Sequence, residues 1–425
     1  MDIRIKGTAD QGGISATIGF FIGFAAVSLF GVTAVKLKDI LGVSPILMGF
    51  LISAPALSGS LLRIPFAAWV DTVGGRKPFL VLLSLSIAGM GGLYYMISHL
   101  YPHGFNAGHY PWLFFLAILS GCGIATFSVG VGQVSYWFPQ KRQGRVLGLF
   151  AGLGNLAPGT FALILPFALQ AFGLAGCYLA WLIFLSVGTF IYFLIGCNSP
   201  YFQYRQAGMG VEEAKIAAQK VGQEIFPKGN VVESLTISAR RWKTWALVAL
   251  YFTSFGGFVA LTAWFPTYWK SLYGVTLVMA GALTALYSIT TSLFRVMGGI
   301  VSDRFGGEKT LIFSFGVTLL GSVLIAQANF LPMAIAASVV LALGMGFANA
   351  AAFKIVPQAV PDAVGGAAGW VGGLGTLGGF MIPPALGAIV VAQGQAGYGQ
   401  GFYILAGLST ASLALSFILI RSNRK

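Results

Sequence analysis

The sequence predicts an all-α membrane protein, with twelve transmembrane helices arranged as two pseudo-symmetric six-helix bundles. Three observations carry that expectation. The chain is 57% hydrophobic and 8% charged, with a mean hydropathy of +0.83, whereas a soluble globular protein carries about 25% charged residues. Apolar runs long enough to cross a bilayer, at roughly 20 residues each, recur along its whole length. Two distant stretches also echo each other: SGSLLRIPFAAWVDTVGGRKP around Arg63 and TTSLFRVMGGIVSDRFGGEKT around Arg295.

The apolar runs fall at 12–35, 45–70, 78–98, 110–137, 145–171, 174–197, 243–270, 276–302, 308–328, 330–355, 364–392 and 400–421. Six precede and six follow the one long polar stretch. The expected division is therefore a bundle at 1–197, a cytoplasmic linker at 198–242 and a second bundle at 243–425. Within the linker, VEEAKIAAQKVGQEI is patterned as a short amphipathic helix lying on the membrane surface. The 59 glycines suit a bundle in lipid, where small residues let helix backbones approach.

Basic residues set the orientation. With both termini cytoplasmic, twenty fall on the inner side, Arg4, Lys228, Arg424 and Lys425 among them, and only Lys36, Lys38 and Lys270 on the outer side. This is the positive-inside pattern of a multi-pass protein of the plasma (inner) membrane. The net charge of +14 thus reflects topology. It does not point to nucleic acid, because the basic residues are spread over loops rather than gathered with aromatics on one face. Cys122, Cys177 and Cys197 lie in or beside apolar runs and form neither a disulfide framework nor a metal pair, so no cofactor or metal is expected. The first run lacks a small-residue cleavage site and is expected to stay in the membrane.

Two cations remain, Arg63 and Arg295, inside the apolar runs of the repeat. Asp71 and Asp303 both follow their arginine by eight residues, and the pairs Gly74/Gly75 and Gly306/Gly307 come next. At 1.5 Å per residue each arginine lies ~12 Å inside the membrane border, close to the middle of a ~30 Å hydrocarbon core. Counted the same way, Tyr251, Asn155 and Thr376 reach the same layer. Buried ionisable groups in a membrane mark functional sites, and two unpaired cations call for an anion. The guanidinium fork matches a small planar oxyanion, and arginine keeps its charge when desolvated. A second echo, AGLGNL at 151–156 and GGLGTL at 372–377, brings Gly152, Gly154, Gly373, Gly375 and Gly378 beside Asn155 and Thr376. These glycines are expected to line helix interfaces, allowing helices to slide and backbone to approach the anion.

With D-x-x-G-G-R-K after the second helix and D-R-x-G-G after the eighth, the chain resembles the major facilitator superfamily. Within it, the chain is most similar to the nitrate/nitrite porter family. The matching residues are the paired arginines, GLFAGLGNLAPG on the fifth helix, AAFKIVP on the tenth and GWVGGLGTLGGFMIPP on the eleventh. One departure is the Leu-Ala-Pro after Asn155, and Pro158 is expected to kink that helix. The resemblance implies a secondary transporter, not an enzyme. It also implies that Phe127, Tyr251 and Phe255 wall the site. Asp71 and Asp303 are expected to act as conformational parts, capping a helix or pairing with Arg76, Arg304 or a neighbouring helix. Lys354 is expected near the inner end of its helix as a gate or electrostatic lure.

Every acidic residue falls outside the apolar runs except Glu308, at the first position of one, and the three histidines cluster in one loop, so no proton-relay group is expected at the midplane. That favours nitrate/nitrite antiport by alternating access. A small-carboxylate exchanger of the formate or oxalate type and a proton-coupled nitrate symporter are the alternatives. The expected partners are the small anion and the lipid bilayer, and a single chain suffices.

Overall fold

The computed structural model describes residues 5–227 and 231–423; Asp2, Arg4, Lys228, Arg424, Lys425 and the side chain of Asp39 lie outside the described residues. Among the described residues, eleven helical stretches are long and apolar enough to cross a membrane. One of them, Arg145–Ile195, is two crossings run together: Gly173, at φ 66° and ψ −174°, breaks its helix geometry. The count of spans is then twelve. The first four are Ala9–Lys38, Pro45–Val73, Arg76–Leu100 and Ala107–Trp137; the fifth and sixth are 145–172 and 174–195. The last six are Trp242–Tyr273, Leu277–Phe305, Gly307–Ala326, Leu331–Ala359, Pro361–Gln400 and Phe402–Ser422.

Local chemistry sets the ends. Ser44 caps the second span by accepting from the Leu47 amide, with Pro45 in its first turn, and Thr276 caps the eighth by accepting from the Met279 amide; a hydroxyl there satisfies an otherwise orphaned donor. The repeated glycine pairs do two jobs. Gly74 (φ 80°) and Gly306 (φ 92°) take a backbone conformation that a Cβ would strain, and so end the second and eighth spans. Gly75 and Gly307 then let the chain pass close to the fourth and tenth spans: a Cβ would lie 2.5 Å from the Gln133 side chain in one case and 2.7 Å from Ile355 in the other.

The helices outrun the apolar runs at several ends. Asp10, Asp71, Asp303 and Glu308 therefore sit in terminal turns, not beyond the spans as expected. Helical geometry continues through Pro158 to Gly173. The Pro158 carbonyl accepts from Ser28 Oγ of the first span at 2.6 Å. Some polar side chains inside the bilayer are satisfied locally: Thr310, Ser314, Thr318 and Ser322 each donate to the carbonyl four residues back, as lipid offers no alternative partner.

Between the sixth and seventh spans the chain forms three short helices, Pro200–Gln206, Val211–Lys220 and Val231–Ala239. The second covers most of the amphipathic segment. The third docks on the eleventh span, where Trp370 Nε1 donates to the Leu235 carbonyl and the Gly366 amide to Ser234 Oγ, both at 3.0 Å.

The first six and last six spans meet most closely toward the face opposite Asp71 and Asp303. There glycines bring backbone onto backbone: a Cβ on Gly31 would lie 2.7 Å from the Ala263 carbonyl, on Gly49 2.6 Å from that of Pro383, on Gly387 2.4 Å from that of Pro45, and on Gly281 2.4 Å from that of Ala162. Nearer the loop aspartates, Gly152 meets the Val296 side chain, and Gly373 meets the Ile64 side chain and, less closely, the Ser60 carbonyl. Main chain thus meets main chain between the halves at the opposite face.

Candidate central binding site

Arg63 owes its position to Pro65, which has no N–H to donate to Leu61. The ladder of the second span breaks at Leu62, and a new helical segment starts on Arg63. Its side chain is fully buried and crosses to the eleventh span, where Nη1 donates to Thr376 Oγ1 at 2.7 Å and to the Gly372 carbonyl at 3.1 Å. Thr376 lies in a short 3-10 turn, Gly375–Leu377, within that span. Arg295, on the eighth span, is half-buried with Nη1 enclosed.

Both guanidiniums face the same two rings. Arg63 Cζ lies 5.0 Å from the Phe127 centroid and 5.3 Å from that of Phe255; Arg295 Cζ lies 5.7 and 5.4 Å away. The rings themselves stack at 6.5 Å. A π turn over Phe252–Gly256 follows Tyr251, whose ring stacks on Phe255 at 4.9 Å and 7°. Such a widened turn is a common feature of functional sites. Cation–π attraction contributes roughly 0.5–2 kcal/mol per contact, which offsets part of the cost of keeping each charge out of water. Among the described residues no carboxylate bonds to either arginine. Arg63 Nε and Nη2, Arg295 Nη1, the Tyr251 hydroxyl and Ser60 Oγ are buried with no hydrogen-bond partner. Buried donors without partners are costly; here five such atoms belong to four residues, and three of them are nitrogens of the two arginines.

The profile of the Major Facilitator Superfamily matches residues 16–285 and 272–425. The chain belongs to the Major Facilitator Superfamily. It is 31% identical over 388 residues to the probable nitrate/nitrite antiporter NarK1 of Thermus thermophilus, covering 87% of this chain and 82% of that one. It is 28% identical to a nitrite extrusion protein of Bacillus subtilis (strain 168), over 85% and 82% of the two chains. The partially occluded inward-open xylose transporter XylE of E. coli shares the fold at TM-score 0.71 and 15% identity, over 96% and 98% of the chains. So does a bacterial homologue of the human lysosomal transporter Spinster, at TM-score 0.66 and 15% identity over 98% of both. The chain is therefore a facilitator-superfamily transporter rather than an enzyme, an integral membrane protein related to nitrate and nitrite carriers.

Within this superfamily fold the expected residues distribute unevenly. Arg63, Arg295, Tyr251, Thr376, Phe127 and Phe255 come together. Asn155 is buried beside them: its carbonyl accepts from Ser292 Oγ at 2.9 Å, one turn before Arg295, and its Oδ1 has no partner. Two contributors escaped the sequence reading. Phe353 packs edge-on against Tyr251 at 4.9 Å and Phe127 at 6.3 Å, and Ser60 sits one turn before Arg63. Phe353 directly precedes Lys354 in the AAFKIVP motif, and Ser60 lies within the repeat frame, so position alone could have marked both.

The glycines split into two groups. Gly152 and Gly373 lie between the halves, but Gly154 packs on Phe20, Gly375 on Tyr251, and Gly378 on the Phe252 carbonyl and Gly256, all inside one half. They lie at helix interfaces within a half rather than between the halves. Gly375 instead makes room for Tyr251, whose Cβ and ring Cδ1 would lie 2.8 and 2.9 Å from an added Cβ. Gly375→Ala is expected to push Tyr251 off Phe255 and to weaken anion affinity by roughly tenfold, the scale of about 1–3 kcal/mol for an overpacked contact; isothermal titration with nitrate measures it.

The conformational residues also resolve differently. Asp71 accepts from Tyr136 Oη of the fourth span. Arg76 is engaged elsewhere, its amide on Asn198 Oδ1 and Nη2 on the Phe193 carbonyl, both at 2.9 Å. Asp303 pairs with Lys354 of the tenth span at 2.7 Å, and Lys354 also donates to the Ser302 carbonyl at 2.6 Å. Arg304 lies exposed over the Phe305 ring. Each loop aspartate therefore ties its span to the one two further on, the second to the fourth and the eighth to the tenth. Lys354 acts as that tie, with its charge already spent on Asp303. Because Asp303 is 79% exposed, the pair is worth under about 1 kcal/mol. Lys354→Gln is expected to lower the maximal transport rate by less than ~5-fold and to leave KM unchanged. A raised KM in a concentration series would restore the lure.

Proposed function

We propose that the chain carries nitrate and nitrite across the plasma membrane by alternating access, exchanging one for the other. The observation that supports this reading is the pair of guanidiniums, one from each half, flanking Phe127 and Phe255 with partnerless donors turned inward. A planar oxyanion offers coplanar acceptors to two forks at once, and the rings close off water around it.

In this reading the halves 1–197 and 243–425, joined by 198–242, rock around the anion, and the loop-aspartate face is cytoplasmic with both termini. Phe127, Phe255 and Phe353 wall the site; Tyr251 and Asn155 orient the oxygens, and Thr376, its own proton on the Gly372 carbonyl, positions Arg63. With the site empty, two cations face each other. At an assumed ~8 Å and an effective dielectric of ~20 their repulsion is ~2 kcal/mol. A bound anion removes it, so the halves reorient loaded rather than empty, which is the rule an obligatory exchanger needs. Nitrate for nitrite is electroneutral and does not work against the membrane potential.

Proteoliposomes holding the full chain test the coupling. Nitrate uptake is expected to require internal nitrite or nitrate and to be indifferent to a proton ionophore. Uptake into anion-free vesicles that collapses with the proton gradient favours symport instead, and competition by formate of equal strength to nitrite favours a carboxylate carrier.

A further inference from the structure

The geometry points to a second anion station, separate from the arginine site, in the cleft between the halves at the opposite face. A cavity of about 160 Å³ there is lined by Lys38 of the first span, Trp264, Thr267, Lys270 and Ser271 of the seventh, and Tyr398 at the end of the eleventh. Lys38 and Lys270 are two of the three basic residues on that side of the chain, and the fold brings them to one pocket from different halves. No described lining residue is acidic. Lys38 Nζ donates to Tyr398 Oη at 3.2 Å and lies 5.9 Å from its ring, which leaves further donors free on the ammonium. The pocket wall adds two polar groups with no partner: Trp264 Nε1, in a side chain 1% exposed, and Thr267 Oγ1.

Two ammonium groups with an indole N–H and a hydroxyl suit a small monovalent anion. Its place in the path gives it a role. On the first span Gly31, which seals against Ala263, lies between Phe24 at the central rings and Ala34 at the pocket. Trp264 stands nine residues beyond Phe255, roughly 13 Å along the helix. An anion held here waits directly outside the seal and passes inward when the halves part at Gly31. This function rests on reading the chain as an anion carrier, but the binding itself does not.

Two measurements on the full chain test it. In detergent, iodide is expected to quench part of the tryptophan fluorescence saturably through Trp264. That component should vanish in Lys38→Gln/Lys270→Gln and in Trp264→Phe, and persist in Lys36→Gln and Arg63→Lys. Quenching of the parent chain that rises linearly with iodide, or equal loss in Lys36→Gln, overturns the station. In oriented proteoliposomes the lysine variants are expected to raise KM for nitrate roughly 3–10-fold at low ionic strength from the pocket's face only, an effect that gluconate salt screens away. A KM unchanged from both faces removes its role in transport. Saturable quenching without any nitrate exchange keeps the station and discards nitrate as its cargo.

Discussion

Lysine in place of either Arg63 or Arg295 is expected to reduce nitrate exchange at low concentration by roughly 100-fold or more. Each replacement keeps a positive charge but loses the planar fork. A hydrogen bond to a charged group is worth about 1.5–3 kcal/mol, and each ~1.4 kcal/mol is a factor of ten, so two lost bonds suffice for that fall. Arg63→Lys should suffer further, because Nη1 also ties the second span to Thr376 and Gly372 across the halves, and both variants lose contacts with Phe127 and Phe255. The check is counterflow of labelled nitrate in proteoliposomes, alongside gel-filtration profiles that establish folding. Lysine variants that exchange at near-normal rates would falsify bidentate recognition and leave the arginines as generic attractors.

The second large effect is expected from Gly387→Val. Its first added carbon would lie 2.4 Å from the Pro45 carbonyl oxygen and 2.8 Å from its carbon. Main chain cannot step aside as a side-chain tip can, so the strain falls on the contact between the halves. At about 1–3 kcal/mol for overpacking, the sealed arrangement loses a factor of roughly 5–150 in population. Exchange should fall by ~10-fold or more, while nitrate binding in detergent persists. A cysteine placed at Ala34 should become more reactive to a membrane-impermeant maleimide, against a background of three buried native cysteines. Gly316→Ala, with nothing near its added carbon, serves as the silent control. Lost binding together with lost exchange points to general damage and against a specific seal.

The twelve spans were legible because each is a long apolar run with its own ends, and helix formation in lipid is decided within the segment. The arginines were legible because a charge inside such a run stands out in one dimension. The glycines illustrate the limit. Gly152 and Gly154 are two residues apart and chemically identical, yet one meets Val296 of the other half and the other meets Phe20 of its own. Helix phase and rotation determine which, and neither is written in the spacing. Lys354 is similar: counting placed it near the loop-aspartate end correctly, but its partner Asp303 comes from a helix fixed only by packing.

Taken alone, the residues determined the membrane class, the number of crossings, the repeat and the place of its two cations within their spans, because these follow from local hydropathy and from position along the chain. Tertiary structure decided what each polar group meets. It set Arg63 against Thr376, laid both guanidiniums on one pair of rings, joined Lys354 to Asp303, and brought Lys38 and Lys270 to one cleft. Those contacts link helices far apart in the chain, and their geometry is a property of how the helices pack.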